Sequence, residues 1–189
     1  MAGPPCSLMV NACQSVHRRS EWRLEGDTRW FKVRMSNRIW KNFAVVLKAI
    51  IHRGVFICVE QPAQSWALKQ EYFRELIKIG NMTTTTTWMA FYNHDLLKAT
   101  HLLSNCRAIQ SMRKVMTKKD RKHFNARFEK RNRRRANPRV YHSVVQKRDG
   151  SKGWQGGPHL ASSAEYTSSF CLAVYQCWLE AQPAQPAQP

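Results

Sequence analysis

Residues 55–62 read Val-Phe-Ile-Cys-Val-Glu-Gln-Pro (VFICVEQP). A β-branched apolar run this short has the form of a strand covered on both faces, as in a parallel sheet. Proline has no N–H to continue a ladder, so Pro62 stops it. Helical patterns flank the run on both sides. Between Ser36 and His52, Ile39, Phe43, Val46, Leu47, Ile50 and Ile51 recur at helical spacing, with Ser36 or Asn37 able to cap the start and Gly54 the end. From Ser65 to Ile79 a second stripe holds Leu68, Tyr72, Phe73, Leu76 and Ile77, with Gly80 after its last turn. Helix, strand, helix is the pattern of an α/β fold.

The remaining elements extend that reading. Thr83 to Tyr92 (TTTTTWMAFY) is β-rich by propensity, and Thr100 to Asn105 suits a further short strand. Within and after the first of these, Trp88 can stack on a base or lie in a core, and Asn93-His94-Asp95 forms a polar turn. Residues 8–35 show little periodicity and suggest a surface loop. Ser162 and Glu165 have capping-box spacing, and Tyr166, Phe170, Val174, Cys177 and Trp178 follow at helical period, which predicts a closing core helix. The expected organisation is an α/β core over 1–112, a basic arm or insert over 113–160, a closing core helix over 161–180 and a disordered Gln/Pro/Ala repeat tail over 181–189.

Charge narrows the class of partner. Thirty-one Lys and Arg stand against twelve Asp and Glu in 189 residues, a formal net charge of +19. Such a surplus attracts polyanions, nucleic acid first among them. From Arg113 to Arg135 twelve basic residues meet two acids, with too few apolar residues to bury a face. Lys130, Arg131, Arg133, Arg134 and Arg135 are its densest part, a run that also fits a nuclear-import address. No stretch approaches the ~18 apolar residues of a membrane span, and the start lacks a signal peptide's basic and apolar regions, so an intracellular protein is expected. Six cysteines form no CxxC pair, and seven histidines lack i,i+4 or cysteine partners; reduced thiols and no metal site follow.

Two tripeptides carry candidate chemistry: Pro4-Pro5-Cys6 and Glu60-Gln61-Pro62. A Pro-Pro-Cys-Ser loop followed by a strand ending in Glu-Gln-Pro resembles the cytosine-5 DNA methyltransferase-like proteins. Arg18-Arg19-Ser20, Gly26, Asn37 and Arg53-Gly54 follow in the family's order, and the later Lys-x-Thr and Tyr-containing segments are similar too. The resemblance implies an incomplete Rossmann-like methyltransferase sheet with flanking helices and its front strands missing. It also implies Cys6 as the thiolate that adds to carbon six of a cytosine, and Glu60 as the carboxyl that assists at the ring nitrogen. Arg18 and Arg19 would hold the backbone while the base leaves its stack.

In that family the glycine-rich turn that binds S-adenosylmethionine precedes the Pro-Cys loop. Here Met1 and Ala2 are what precede Gly3, and Gly153, Gly156 and Gly157 form no strand–loop–helix pattern. The expectation is a truncated methyltransferase-like protein, inactive alone, with S-adenosylmethionine as cofactor only if active. Its strand at Glu60 would be an open edge that a second polypeptide could complete. The alternative is a non-catalytic, basic nucleic-acid-binding protein that uses the 113–135 arm.

Overall fold

The computed structural model describes Cys6 and residues 8–10, 13–140, 142–146, 150, 152–156 and 165–182. Its helices are α1 (Gln14–His17), α2 (Phe31–His52), α3 (Glu71–Ile79), α4 (Lys118–Arg133) and α5 (Ser168–Glu180). Its strands are β1 (Cys58–Pro62), β2 (Thr83–Trp88), β3 (Ala99–Ser104), β4 (His142–Gln146) and β5 (Lys152–Gly156). The chain divides into two compact units. One takes the described residues of Met1–Thr87, Ala99–Lys114 and Ala173–Pro189; the other takes those of Trp88–Lys98 and Val115–Leu172.

In the first unit α2 begins at Phe31, earlier than its sequence suggests, because the N–H groups of Val33 and Arg34 both donate to the Trp30 carbonyl, at 3.0 and 3.1 Å. Neither Ser36 nor Asn37 caps it. Its buried residues are Val33, Ser36, Trp40, Ala44 and Leu47, whereas Ile39 and Val46 are exposed. The helical period was legible but its phase was not. Trp40 decides the phase, since its large ring stands edge-on to Phe43 and Phe73 with centroids 5.9 and 5.5 Å away. Gly54, at φ +70°, ends the helix as expected, its N–H donating to the Ile51 carbonyl.

The second expected helix begins with a 3-10 turn at Ala67–Lys69 and becomes α3 at Glu71. Phe73 and Leu76 bury its inner face against Trp40, Ala44 and Leu47 of α2 and Val59 and Leu103 of the sheet. The threonine run forms β2, which stops at Trp88.

β1 runs antiparallel to β3, with Cys58 opposite Ser104, Glu60 opposite Leu102 and Pro62 opposite Thr100. Among the described residues β1 therefore has no parallel partner, unlike the pairing expected of VFICVE. The sheet order is β1-β3-β2, which places β3 in the centre and the Glu60 strand at an edge. Burial explains the composition without parallel strands: the first four residues of β1 are all buried, so both faces favour apolar side chains. Directly paired residues share a face, so Val59 and Leu103 face the helices while Cys58, Glu60, Leu102 and Ser104 face the other way.

The second unit contains the Met89–Tyr92 3-10 turn, which replaces the expected continuation of the strand and ends at Asn93 in the left-handed region, φ 64°. The basic segment is ordered as α4 and an antiparallel β4–β5 hairpin in which Val144 pairs with Trp154. α5 starts at Ser168, and the Thr167 hydroxyl both accepts from the Phe170 N–H at 3.3 Å and donates to the Tyr92 carbonyl at 2.5 Å. Glu165 precedes this helix; Ser162 and the tail residues 183–189 lie outside the described residues. Among the described residues no helix is long and apolar enough to cross a membrane.

Candidate nucleic-acid interface

α4 begins with a reciprocal cap. The Thr117 hydroxyl accepts from the Asp120 N–H at 3.1 Å, and the Asp120 carboxylate accepts from the Thr117 N–H at 3.0 Å. The hydroxyl hydrogen bond holds the Asp120 carboxyl below its ordinary pKa. A helix with few apolar residues needs such local support, and none of the residues of α4 is buried.

The helix nevertheless has an inner side. Phe124 meets Phe91 edge-on at 5.0 Å, and the Arg127 guanidinium lies 5.0 Å from the Phe124 ring centre while it donates to the Ala90 carbonyl at 3.2 Å. Arg131, Arg135 and Arg139 all reach one carboxylate, that of Asp95, which is almost fully buried. Asn132 fixes the last of these by accepting from the Arg139 N–H at 2.6 Å and donating to its carbonyl at 3.2 Å.

What remains outside is strongly cationic. Lys118, Lys119, Arg121, Lys122, Lys130, Arg133 and Arg134 are exposed. Of these, Arg133 has Glu129 at 3.8 Å, and Arg121 lies 5.8 Å from the centre of the half-buried Trp88 ring. A shallow depression of about 440 Å³ follows this face, lined by Lys118, Arg121, Lys122, Asn125, Ala126 and Glu129. The arrangement offers point charges for phosphates and one aromatic ring beside them.

The basic site residues proposed from sequence therefore separate. Lys130, Arg133 and Arg134 face solvent, whereas Arg131 and Arg135 are drawn onto Asp95. Sequence reasoning placed Asp95 only in a polar turn and did not single out Arg139, yet two signals of their pairing were present. Asp95 is the sole acid between Glu75 and Asp120, and Arg127, Arg131, Arg135 and Arg139 recur every four residues, a spacing that favours one helical face.

Arg18 and Arg19 also part. Arg18 is exposed, in the left-handed region at φ 50°, with Asp27 at 3.8 Å. Arg19 has no exposed surface, and its guanidinium donates to the carbonyls of Leu8 (2.9 Å) and Leu24 and to Asn37 Oδ1 (2.6 Å). It ties a loop together and presents no charge to a ligand. Gly26 completes this knot at φ +70°, where a Cβ would stand 2.3 Å from the His17 carbonyl oxygen. The Asp27 carboxylate beside it is held well below the usual carboxylate range, first by its hydrogen bonds with Arg29.

For the candidate catalytic pair, Pro4 and Pro5 lie outside the described residues, and the Cys6 carbonyl accepts from the Met9 N–H at 2.7 Å. Met9 is buried, and its own carbonyl accepts from the Trp66 N–H at 2.6 Å. The Cys6 turn is thus tied to the loop that leaves β1. Glu60, at 4% exposure, faces the side of the sheet shared with Cys58 and Leu102. Gly153 and Gly156 belong to β5, and Gly157 lies outside the described residues. The described residues include no group of three or more His, Cys, Asp or Glu placed to hold a metal.

No protein family model, curated protein or solved structure matches this chain.

Proposed function

We propose that this protein binds nucleic acid without reading its sequence, through the outer face of α4. The observation that carries this reading is the concentration of seven exposed Lys and Arg side chains at Lys118–Arg134, on or directly after one capped helix with no buried residue. Cations held along a rigid helix displace the counterions condensed on a phosphate backbone, and that gain is independent of base identity. Trp88 beside Arg121 suits stacking on an unpaired base, which favours single-stranded over fully paired targets. The test is fluorescence anisotropy of a labelled oligonucleotide across a salt series. Combined Lys119→Gln, Lys122→Gln, Lys130→Gln, Arg133→Gln and Arg134→Gln should lower the slope of log affinity against log salt by roughly 0.7 for each single-strand phosphate that is no longer neutralised. An unchanged slope overturns the reading.

A second reading, descent from a cytosine-5 methyltransferase-like core, has one arrangement in its favour. Arg19, Gly26 and Asn37, three residues that carry the resemblance, share one buried knot, and the Cys6 turn is tied to the exit of β1. Catalysis would need the buried Glu60 carboxyl to become accessible and S-adenosylmethionine to be bound. The test is transfer of a labelled methyl group from S-adenosylmethionine to DNA or RNA, with and without an added polypeptide that carries a glycine-rich strand–turn–helix. Transfer abolished by Cys6→Ser supports descent with activity, and absence of cofactor binding in both cases removes it.

A further inference from the structure

We infer that the arginine cluster around Asp95 is a seat for one phosphate monoester, distinct from the outer face of α4 and not dependent on it. Three guanidinium groups converge there: Arg131 Nη2 donates to Asp95 Oδ1, Arg135 Nη2 to Oδ2 at 2.9 Å, and Arg139 Nη1 to Oδ2 at 3.2 Å. One carboxylate cannot satisfy so many donors. Arg131 Nε and Arg135 Nη1 are both shielded from solvent and have no hydrogen-bond partner. Shielded guanidinium N–H groups without acceptors are costly, and a ligand with several anionic oxygens is the natural complement.

The charge of the ligand fits as well: three guanidinium groups meet at Asp95, and a phosphate monoester carries roughly −1.5 to −2 at neutral pH. The Arg131 and Arg139 side chains remain 42% and 39% exposed, so the rim of the cluster reaches solvent, and a ligand meets the shielded Arg131 Nε and Arg135 Nη1 only as these side chains move. The planar donor fork of arginine suits a tetrahedral oxyanion. Asp95 then has a second role: it holds the three arginines together without ligand and competes with the phosphate for them.

The test uses the full chain, and its probe is inorganic phosphate titrated against chloride at matched ionic strength. Calorimetry should show saturable phosphate binding, and the Arg131 Nε–H resonance should shift during the titration. Arg135→Gln should weaken binding about tenfold or more, and Asp95→Asn should strengthen it. The five-site α4 variant should bind phosphate as the parent chain does, which separates failure here from failure of the backbone-charge reading. An oligonucleotide with and without a 5′-phosphate then identifies the source. Preference for the phosphorylated strand marks nucleic-acid ends, and equal affinity with a retained phosphate response marks the small anion; either outcome supports the seat. If phosphate behaves as chloride does and the Arg131 resonance stays still in the parent chain, the inference is overturned, whatever the variants do.

Discussion

Arg19 and Asn37 are joined by a hydrogen bond of 2.6 Å, from a guanidinium with no exposed surface to a side-chain oxygen on α2. The same guanidinium reaches the Leu8 and Leu24 carbonyls, so a single side chain links the chain's first described turn, the following loop and a core helix. Arg19→Ala should destabilise the first unit by about 3 kcal/mol, because three acceptors lose a charged donor at once. Arg19→Lys should recover only part of that, since an ammonium cannot reproduce the fork. Urea denaturation of both variants is the measurement, and a loss within error of zero contradicts the anchoring role.

His17 titrates in the same knot. Its Nδ1 accepts from the Arg19 N–H at 2.9 Å, which leaves Nε2 to donate to the Val10 carbonyl at 2.9 Å, so the ring is neutral. Burial lowers its pKa, with the Arg19 charge acting the same way and the Val10 hydrogen bond opposing. The unfolded chain, with its histidines near 6.5, therefore binds protons more readily than the folded one. Stability should be greatest above about pH 6.5 and decline as pH falls from there toward the folded pKa. His101, lowered chiefly by burial, adds to the same trend. Urea midpoints at several pH values between 5 and 8 check this, and a midpoint that rises on acidification contradicts it.

The α4 cap gives a local prediction. Thr117→Ala removes the acceptor for the Asp120 N–H and should cost the helix about 1 kcal/mol. Hydrogen exchange should accelerate in the first turns of α4, while amides of β1 and β3 keep their protection. Because the folded Asp120 carboxyl lies below its ordinary pKa, its contribution is present above about pH 4 and disappears as pH falls through the folded value.

Thiol reactivity should follow burial. Burial pushes the Cys58 thiol up to about 12, with the neighbouring Cys106, Cys177 and Glu60 adding to the effect, so Cys58 is protonated at neutral pH. Cys171 is exposed. Iodoacetamide on the native chain should label Cys171 well before Cys58, Cys106 or Cys177, and the difference should vanish in denaturant. Peptide mapping by mass spectrometry reads the order directly; early labelling of Cys58 contradicts the burial of β1.

Much of this protein was legible as local pattern. The positions of α2, α3, β1, β2 and β3 followed from periodicity and propensity, Gly54 marked the end of α2, and the density of charge over 113–135 required no coordinates. These depend on a residue and its near neighbours. By the same logic the scarcity of apolar residues in that segment foretold that it would bury no face, though not that it would be a helix, because charge density alone does not set backbone conformation.

Other features depended on partners distant in sequence. The phase of α2 is set by how Trp40 meets Phe73, and the direction of β1 is set by β3, forty residues on in chain order and paired antiparallel. Arg18 and Arg19 are adjacent and chemically identical, yet one is solvated and the other enclosed, because the loop brings Leu8, Leu24 and Asn37 around only the second. Asp95 gathers arginines 36 to 44 residues away. Composition by itself determined that the chain is cationic. Only the tertiary structure decided which cations face outward, since a charge is available to a ligand only where folding has not already supplied it with a carboxylate or a carbonyl.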